Sequence, residues 1–260
     1  MMTTTANSSP GMARKFPGSL LALVLALFAP TLAAEPAEVF APFGELLASS
    51  VTDGDVDYPA FANSQAFASM MAALATTAPA ASASDDEKLA FYINAYNATS
   101  IQGILDGYSP STLWGRLRFF KRREYALLNT SMTLFELEHD FIIAAGDPRI
   151  HFAIVCSSKS CPPLQSWLFD GASLGTQLDE VTSAFINNPA SNRFDLERRK
   201  ADLSRIFDWY EDEFEAAGGS LQGYLAQYVT DDRLRESLEN DDWDLDFQDY
   251  DWSLNGTELP

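Results

Sequence analysis

Hydrophobic residues recur at helical spacing along most of the chain, and shorter alternating stretches separate these segments. The pattern predicts helices over residues 37–49, 61–74, 84–105, 174–185, 203–214 and 221–229. Extended segments are predicted at residues 51–58, 125–128, 193–196 and 243–247. The last of these lies in an acidic region, but its apolar and polar residues alternate as in a half-buried strand. We therefore expect an α+β fold, a single domain with a buried central helix packed on a small, mostly antiparallel sheet.

The predicted central helix is the longest of the set. Ser84 begins it with a capping box that Glu87 completes, and residues 89–105 read LAFYINAYNATSIQGIL. This stretch is apolar on nearly every side, which is typical of a helix buried all round. Asn94 and Asn97 lie on one flank, where buried amides must be hydrogen-bonded. They either orient a functional site or tie the helix to a neighbouring loop.

A second capping box, formed by Thr133 and Glu136, predicts a helix that begins at about Leu134. The apolar stripe of this helix carries Glu138 in its middle and His139 on its edge. A carboxylate on a buried face needs a partner or a raised pKa. An ion pair between Glu138 and a nearby arginine such as Arg149 is therefore one expectation.

Every histidine and cysteine of the chain lies within residues 138–164, namely His139, His151, Cys156 and Cys161. These side chains are the usual bases, nucleophiles and soft metal ligands near neutral pH. The apolar run at residues 150–155 predicts a strand with His151 near its start and Cys156 at its end. The two prolines after Cys161 predict a helix that begins there and would favour a thiolate at that position.

The first 34 residues have the pattern of an export signal. Arg14 and Lys15 precede an apolar core at residues 20–29, and small residues follow at a cleavage site near residue 33. The apolar core is too short to span a bilayer, and no cysteine follows it to carry a lipid. We expect a mature domain at residues 35–260 that is periplasmic or secreted and keeps no stable membrane anchor.

The charge balance bears on possible partners. Without the signal, 15 basic and 37 acidic residues remain, a net charge of −22. This argues against nucleic-acid or anionic-membrane binding, which require clustered cations. The one basic patch, residues 116–123 (RLRFFKRR), either cradles a carboxylate or phosphate or is a solvated face. A small-molecule or peptide substrate remains the expected partner, and no cofactor is expected.

Five ordered motifs resemble the family called domain of unknown function 547, in its bacterial, exported form. They are FYINAYNA at 91–98, LEHDFI at 137–142, HFAIVCSSKSCPPL at 151–164, SRIFDWYEDEF at 204–214 and YDWSLN at 250–255. The resemblance runs from about residue 39 to residue 255, and it implies a fold-level analogy with papain-like thiol hydrolases. Plant members of the family keep counterparts of His139 and Cys156 but often replace Cys161 and His151. The resemblance therefore favours Cys156 with His139 as a shared dyad.

The first functional hypothesis is a thiol hydrolase or transferase that acts on an amide or peptide-like substrate. A cysteine would be the nucleophile, a histidine the base and Glu138 the group that orients it. An asparagine of the central helix would supply an oxyanion donor or fix the histidine. The candidate catalytic residues are Cys156, His139, Glu138, Cys161 and His151, and the candidate substrate-binding residues are Asn94 and Asn97.

Two alternatives stay open beside the hydrolase. Cys156 and Cys161 can form a structural disulfide in a non-catalytic binding or scaffold module, although closing so short a loop is worth only ~2 kcal/mol. The same short loop can also be a redox-active pair. A Cys₂His₂ metal site is the weakest reading, because the spacing His-x11-His-x4-Cys-x4-Cys fits no zinc pattern and we expect no metal.

The export signal gives the first testable prediction. The mature protein should begin near Ala34 or Glu35, because the small residues there follow the apolar core as a cleavage site requires. Mass spectrometry of periplasmic material checks this directly. Mature protein that retains residues 12–33 would contradict it.

Overall fold

The structure, a computed structural model, describes residues 1–6 and 38–259. Residues 1–6 have no regular secondary structure, and the predicted export signal and its cleavage site lie almost wholly outside the described residues. The remaining description concerns the compact unit Ala34–Pro260. None of the helices in the described ranges is both long and apolar enough to cross a membrane.

Helices make up most of the regular structure. Between residues 38 and 259 the α-helices are α1 (Ala41–Ser50), α2 (Tyr58–Ala62), α3 (Gln65–Leu74), α4 (Asp85–Leu105), α5 (Leu113–Lys121), α6 (Leu134–Leu137), α7 (Leu174–Ile186), α8 (Arg205–Trp209), α9 (Glu211–Gly218), α10 (Leu221–Tyr228) and α11 (Asp232–Asn240). A π-helical turn, Glu138–Ile142, continues α6. Short 3₁₀ helices lie at Glu38–Phe40, Ile143–Ala145 and Pro148–Phe152.

The strands are short and form separate small sheets. They are β1 (Val51–Thr52), β2 (Asp55–Asp57), β3 (Glu124–Leu127), β4 (Thr130–Thr133), β5 (Arg193–Asp195), β6 (Lys200–Leu203), β7 (Asp244–Phe247) and β8 (Gly256–Thr257). Their order in the three described sheets is β1-β2-β8, β3-β4 and β5-β6-β7. Only the pairs β2–β8 and β6–β7 are parallel. The predicted α+β single domain with mostly antiparallel pairing is confirmed, although the strands form several sheets rather than one.

Helix α4 is the buried centre of the domain, as predicted. Its capping box is formed: the Glu87 amide donates to Ser84 Oγ at 3.2 Å, and the Ser84 amide donates to Glu87 Oε2 at 2.6 Å. Along its body Ile93, Ala95 and Ala98 are 0% exposed. A helix buried on all sides leaves no solvated face for polar side chains, so those it carries must find partners in the protein.

The two α4 amides find those partners in irregular loop backbone. Asn94 Nδ2 donates to the Phe169 carbonyl at 2.8 Å, and the Phe169 amide donates back to Asn94 Oδ1 at 3.0 Å. Asn97 Nδ2 donates to the Ala153 carbonyl at 3.0 Å, while the Val155 amide donates to Asn97 Oδ1 at 2.8 Å. Of the two roles considered for these amides, tying the helix to a neighbouring loop is the one that their hydrogen bonds show.

Two local predictions near the cysteines are wrong. Residues 150–152 form part of a 3₁₀ helix instead of a strand, because Pro148 occupies its first turn and the Asp147 side chain accepts the Arg149 amide. Residues 153–156 have no regular structure. No helix begins after Cys161 either, since residues 162–165 are irregular. The argument that a helix N-terminus favours a Cys161 thiolate therefore fails.

The predicted helix at residues 203–214 is interrupted. Leu203 ends β6, and the following helical stretch divides into α8 and α9 at Tyr210. Tyr210 has φ −122° and ψ 26°, outside the helical region. The break matters for the site, because it turns the Tyr210 side chain inward.

The acidic C-terminal segment is an integral part of the domain, as its alternating pattern predicted. Strand β7 pairs in parallel with β6, and Trp243 is only 8% exposed. Further on, Asn255 Oδ1 accepts the Tyr58 hydroxyl at 2.6 Å, and the Val56 amide donates to the Asn255 carbonyl at 3.0 Å. The C-terminal segment therefore connects strand β6 with strand β2 and the start of helix α2.

Removal of this segment should unfold or strongly destabilise the protein. Deleting residues 243–260 should lower the free energy of unfolding by several kcal/mol, because buried apolar surface is lost. Trp243→Ala alone should lower it by about 3–5 kcal/mol, because the shortened side chain leaves a cavity. Urea denaturation measures both. The matched control is Trp114→Ala, whose side chain is 67% exposed and should change stability by less than about 0.5 kcal/mol. An unchanged melting temperature after deletion of residues 243–260 would contradict the assignment of this segment to the folded domain.

Candidate functional site

A pocket of about 500 Å³ brings the predicted chemical residues together. Its wall includes all five candidate catalytic side chains, Glu138, His139, His151, Cys156 and Cys161. Most of the remaining wall is aromatic, from Tyr96, Phe120, Phe135, Trp209, Tyr210, Tyr250 and Trp252. A concave, mostly apolar surface with a few convergent polar groups is typical of a small-molecule site. The histidine and cysteine cluster seen along the sequence is therefore also a cluster in space.

The two cysteines form a disulfide on the pocket wall. Cys156 and Cys161 are joined with an S–S distance of 2.14 Å. Cys156 is half-buried, whereas Cys161 is 9% exposed. Between them Ser157 adopts a left-handed conformation, with φ of 60°, and its hydroxyl lies 2.9 Å from that of Ser100 on α4. A non-glycine residue in this conformation persists only where its surroundings hold it, and such residues concentrate at functional sites.

Hydrogen-bond donors lie against both sulfurs of the disulfide. The Cys156 amide donates to Cys161 Sγ at 2.9 Å, and the Tyr250 and Ser158 hydroxyls lie 3.2 and 3.4 Å from that atom. The same two hydroxyls lie 3.2 and 3.1 Å from Cys156 Sγ, so among the described contacts the Cys156 amide is the one that distinguishes the two sulfurs. Burial raises the pKa of Tyr250, so its hydroxyl stays protonated and remains a donor at neutral pH. These donors would stabilise negative charge on the Cys161 sulfur.

Glu138 lies at the start of the π-helical turn, buried at 7% exposure. The hydroxyls of Tyr96 and Tyr210 donate to its two carboxylate oxygens at 3.0 and 2.9 Å. Burial, together with the charge of Glu138, raises the pKa of both tyrosines and keeps them protonated as donors. The π-helical turn itself is a feature found mostly at functional sites.

The expected ion pair between Glu138 and Arg149 is wrong. Arg149 bonds instead to Asp147 at 2.6 Å and to Asp179 at 2.7 Å. These carboxylates raise the pKa of the guanidinium, which belongs to a different part of the surface. The buried carboxylate is satisfied by neutral hydroxyl donors and faces the pocket without a cation bonded to it.

His139 is exposed and held in one orientation. Its ring stacks on Phe135 with a centroid distance of 3.8 Å, and Nδ1 lies 3.1 Å from the Phe135 carbonyl. A carbonyl only accepts, so Nδ1 carries the proton of this bond. In the neutral ring Nε2 is then a free acceptor, which is the arrangement of a general base.

His151 is held differently, inside the protein. It is 3% exposed, stacks on Tyr210 at 3.6 Å and donates from Nε2 to Glu213 at 3.0 Å. Its Nδ1 atom is buried and has no hydrogen-bond partner in the described structure. The contact with Glu213 fixes this ring and leaves its second nitrogen free for a group that enters the pocket.

The structure does not form every contact that the sequence hypotheses used. In the part of the chain described, no hydrogen bond joins either imidazole to either sulfur. Asn94 and Asn97 do not line the pocket, and their amides are engaged by backbone. Among residues 1–6 and 38–259, no group of three or more His, Cys, Asp or Glu side chains could hold a metal ion.

Five site residues were missed by sequence reasoning, namely Tyr96, Ser158, Tyr210, Glu213 and Tyr250. All five stand in motifs of the family resemblance, at residues 91–98, 151–164, 204–214 and 250–255, but no role had been assigned to them. Glu213 lies in an acidic run that resembles a solvated face. Except for Ser158, only the fold brings these residues to the cysteines, so the motifs themselves were the available signal.

A comparison with known families places part of the chain. The family described as "Protein of unknown function, DUF547" matches residues 80–186, from the start of α4 to the end of α7. This match supports the resemblance over that segment, which contains all seven candidate site residues. No curated protein and no solved structure matches the chain. The papain-like analogy therefore stays a prediction.

The hydrogen bonds that Tyr96 and Tyr210 donate to Glu138 give a testable prediction. Glu138→Leu should destabilise the protein by about 2–4 kcal/mol, because it leaves the hydroxyls of Tyr96 and Tyr210 without an acceptor. Glu138→Gln keeps hydrogen-bonding capacity and should cost less than about 1.5 kcal/mol. Urea denaturation provides the measurement, with exposed Asp140→Leu as the control. Equal stabilities for Glu138→Leu and Asp140→Leu would show that the two hydrogen bonds to Glu138 do not stabilise the protein.

Proposed function

We propose that the domain is a thiol-dependent enzyme that exchanges thiols and disulfides with a substrate in the pocket. One observation carries this proposal: the disulfide lies on the pocket wall, with Cys156 half-buried and Cys161 buried, and the Cys161 sulfur accepts a hydrogen bond from the Cys156 amide. A disulfide that only braces a fold needs neither an opening nor a donor aimed at one sulfur. A reactive disulfide needs both, because it must be attacked at one atom and release charge on the other.

The asymmetry of the pair assigns the roles. A substrate thiolate attacks Cys156 Sγ, forms a mixed disulfide there and breaks the bond to Cys161. Cys161 leaves as the thiolate, stabilised by the Cys156 amide and the hydroxyls of Tyr250 and Ser158. Attack of the Cys161 thiolate on Cys156 reverses the step, whereas attack of a second substrate thiol releases the oxidised substrate and leaves a Cys156–Cys161 dithiol.

The pocket wall bears on the substrate. Its aromatic side chains favour a substrate with an apolar or planar part, and Glu138 and the imidazoles supply polar contacts. A small-molecule or peptide thiol of that kind is the proposed partner. Export to the periplasm or beyond the cell belongs to the same proposal, because disulfides persist in oxidising compartments.

A second candidate function is the thiol hydrolase or transferase acting on an amide or peptide-like substrate. It would use the reduced protein, with Cys156 as nucleophile and His139 as base. The orientation of His139 favours it, because the Phe135 carbonyl fixes Nδ1 and leaves Nε2 free on the pocket wall. This reaction needs only one cysteine, so Cys161 would be dispensable.

Cysteine variants separate these functions. Exchange predicts that the free Cys156 thiolate of Cys161→Ser attacks oxidised glutathione, forming a mixed disulfide and releasing reduced glutathione, measured by intact mass at neutral pH. Cys156→Ser should form this adduct at least about tenfold more slowly, because Cys161 is buried. Turnover of a small disulfide with dithiothreitol should disappear in Cys161→Ser. A hydrolase would instead retain cleavage of an activated ester in Cys161→Ser and lose it in His139→Asn.

Tyr250→Phe tests the leaving-group role more finely. Loss of the donor to the Cys161 sulfur should slow reduction of the native disulfide about tenfold, since a hydrogen bond to a charged group is worth ~1.5 kcal/mol. Tyr92→Phe is the matched control, because Tyr92 does not line the pocket. A native disulfide that dithiothreitol reduces only after denaturation would sink both catalytic proposals and leave a binding or scaffold module.

A further inference from the structure

Helix α5 presents one exposed stripe of apolar and basic side chains. Trp114, Arg118, Lys121 and Arg122 lie at positions i, i+4, i+7 and i+8, which share one side of a helix, and all four are exposed. Leu113, at the same end as Trp114, is 80% exposed, and Trp114 is 67% exposed. Apart from Met1 and Met2, these are the two most exposed large apolar residues that the structure describes. A single exposed leucine is ordinary, but adjacent exposed apolar side chains form a patch of the kind that marks interaction sites.

The cations of this region lack acidic partners. Of the 15 basic residues that the structure describes, ten take part in ion pairs. Four of the other five are Arg116, Arg118, Lys121 and Arg122. The chain carries 37 acidic residues, so pairing is the rule elsewhere on its surface. These four cations therefore form a local positive patch, without ion pairs in the described structure, on an acidic protein.

This surface continues into the mouth of the pocket. Arg116 lies over the Trp252 ring at 4.5 Å, and Phe120 is 6.4 Å from the same ring. Trp252 in turn stacks on Trp209 at 5.6 Å, which is 45% exposed. Phe120 and Lys121 line the pocket itself. Helix α5 therefore borders the pocket, and Lys121 belongs both to the exposed stripe and to the pocket wall.

We propose that α5 docks the protein reversibly on an anionic lipid bilayer. Leu113 and Trp114 would enter the interfacial region, and Arg118, Lys121 and Arg122 would contact lipid phosphates. Tryptophan favours the membrane–water interface, and basic residues beside exposed apolar side chains are typical of helices that lie on membranes. The contact is a peripheral one and needs no anchor. It does not depend on the reaction that the pocket performs.

The proposal departs from the expectation drawn from net charge alone. At physiological ionic strength charges act over about 8 Å, so the sign of the local patch decides the contact. A nucleic-acid duplex is the weaker partner, because its phosphates offer no apolar region to Leu113 and Trp114. Exposed leucine and tryptophan side chains add nothing to a phosphate contact, whereas a bilayer accepts them.

Vesicle co-sedimentation tests the docking. The protein should sediment with vesicles that contain phosphatidylglycerol, much less with pure phosphatidylcholine, and less as salt increases. Removing each cation should weaken binding about fivefold, so Arg118→Ala with Arg122→Ala should weaken it about 25-fold. Leu113→Ala with Trp114→Ala should also weaken it. The matched control is Arg198→Ala with Arg233→Ala, two exposed arginines with acidic partners, which should bind like the native chain.

Two outcomes would overturn the proposal. The native chain would not bind anionic vesicles at low salt, or the α5 variants and the control variant would lose the same amount of vesicle affinity. Binding to duplex DNA or to an acidic peptide that needs the same α5 cations, without binding to vesicles, would replace the bilayer with another partner. Thermal melts confirm that each variant is folded. Cys156→Ser should bind vesicles normally, so failure of the enzymatic proposal would leave this one standing.

Discussion

Three polar side chains on the buried helix α4 hold the segment that carries both cysteines. Asn94 pairs with the backbone of Phe169, Asn97 with the backbone of residues 153 and 155, and Ser100 with the Ser157 hydroxyl. Residues 153–169 have almost no regular structure of their own, so their backbone groups depend on such partners. Each amide supplies one donor and one acceptor to the loop, as a neighbouring strand would. The position of the pocket wall is thus set by helix α4.

This arrangement frees the disulfide from a bracing role. A bond that closes a loop of a few residues adds only ~2 kcal/mol, comparable with the buried hydrogen bonds already made on either side of it. The fold places that bond at the edge of an aromatic pocket, aims the Cys156 amide at the Cys161 sulfur and leaves Cys156 half-buried. Glu138 and the two imidazoles are the other polar groups of the pocket wall, and each is held by a different partner. The site therefore consists of a disulfide and polar side chains that the rest of the fold holds in fixed positions.

Local sequence signals predicted the frame better than the site. The capping boxes at Ser84 and Thr133, the buried α4 and the half-buried strand at Trp243 all follow from short-range patterns, and the structure has them. The irregular course of residues 150–165 was not predicted, because Pro148 and the Asn97 amide outweigh the strand preference of an apolar run. The partners of Glu138 were missed for another reason. Tyr96 and Tyr210 lie 42 and 72 residues from it along the chain, and only tertiary packing joins them.

Hydrogen exchange at the Val155 amide tests the central claim that α4, and not the disulfide, holds the cysteine segment. That amide donates to Asn97 Oδ1, so its protection from exchange reports whether this hydrogen bond is formed in the native state. We expect protection of Val155 and Phe169 to persist when the disulfide is reduced, and to fall sharply at Val155 in an Asn97→Ala variant whose disulfide is intact. Loss of protection across residues 153–161 on reduction alone would show instead that the disulfide holds this segment in place. That result would contradict its role as a reactive group.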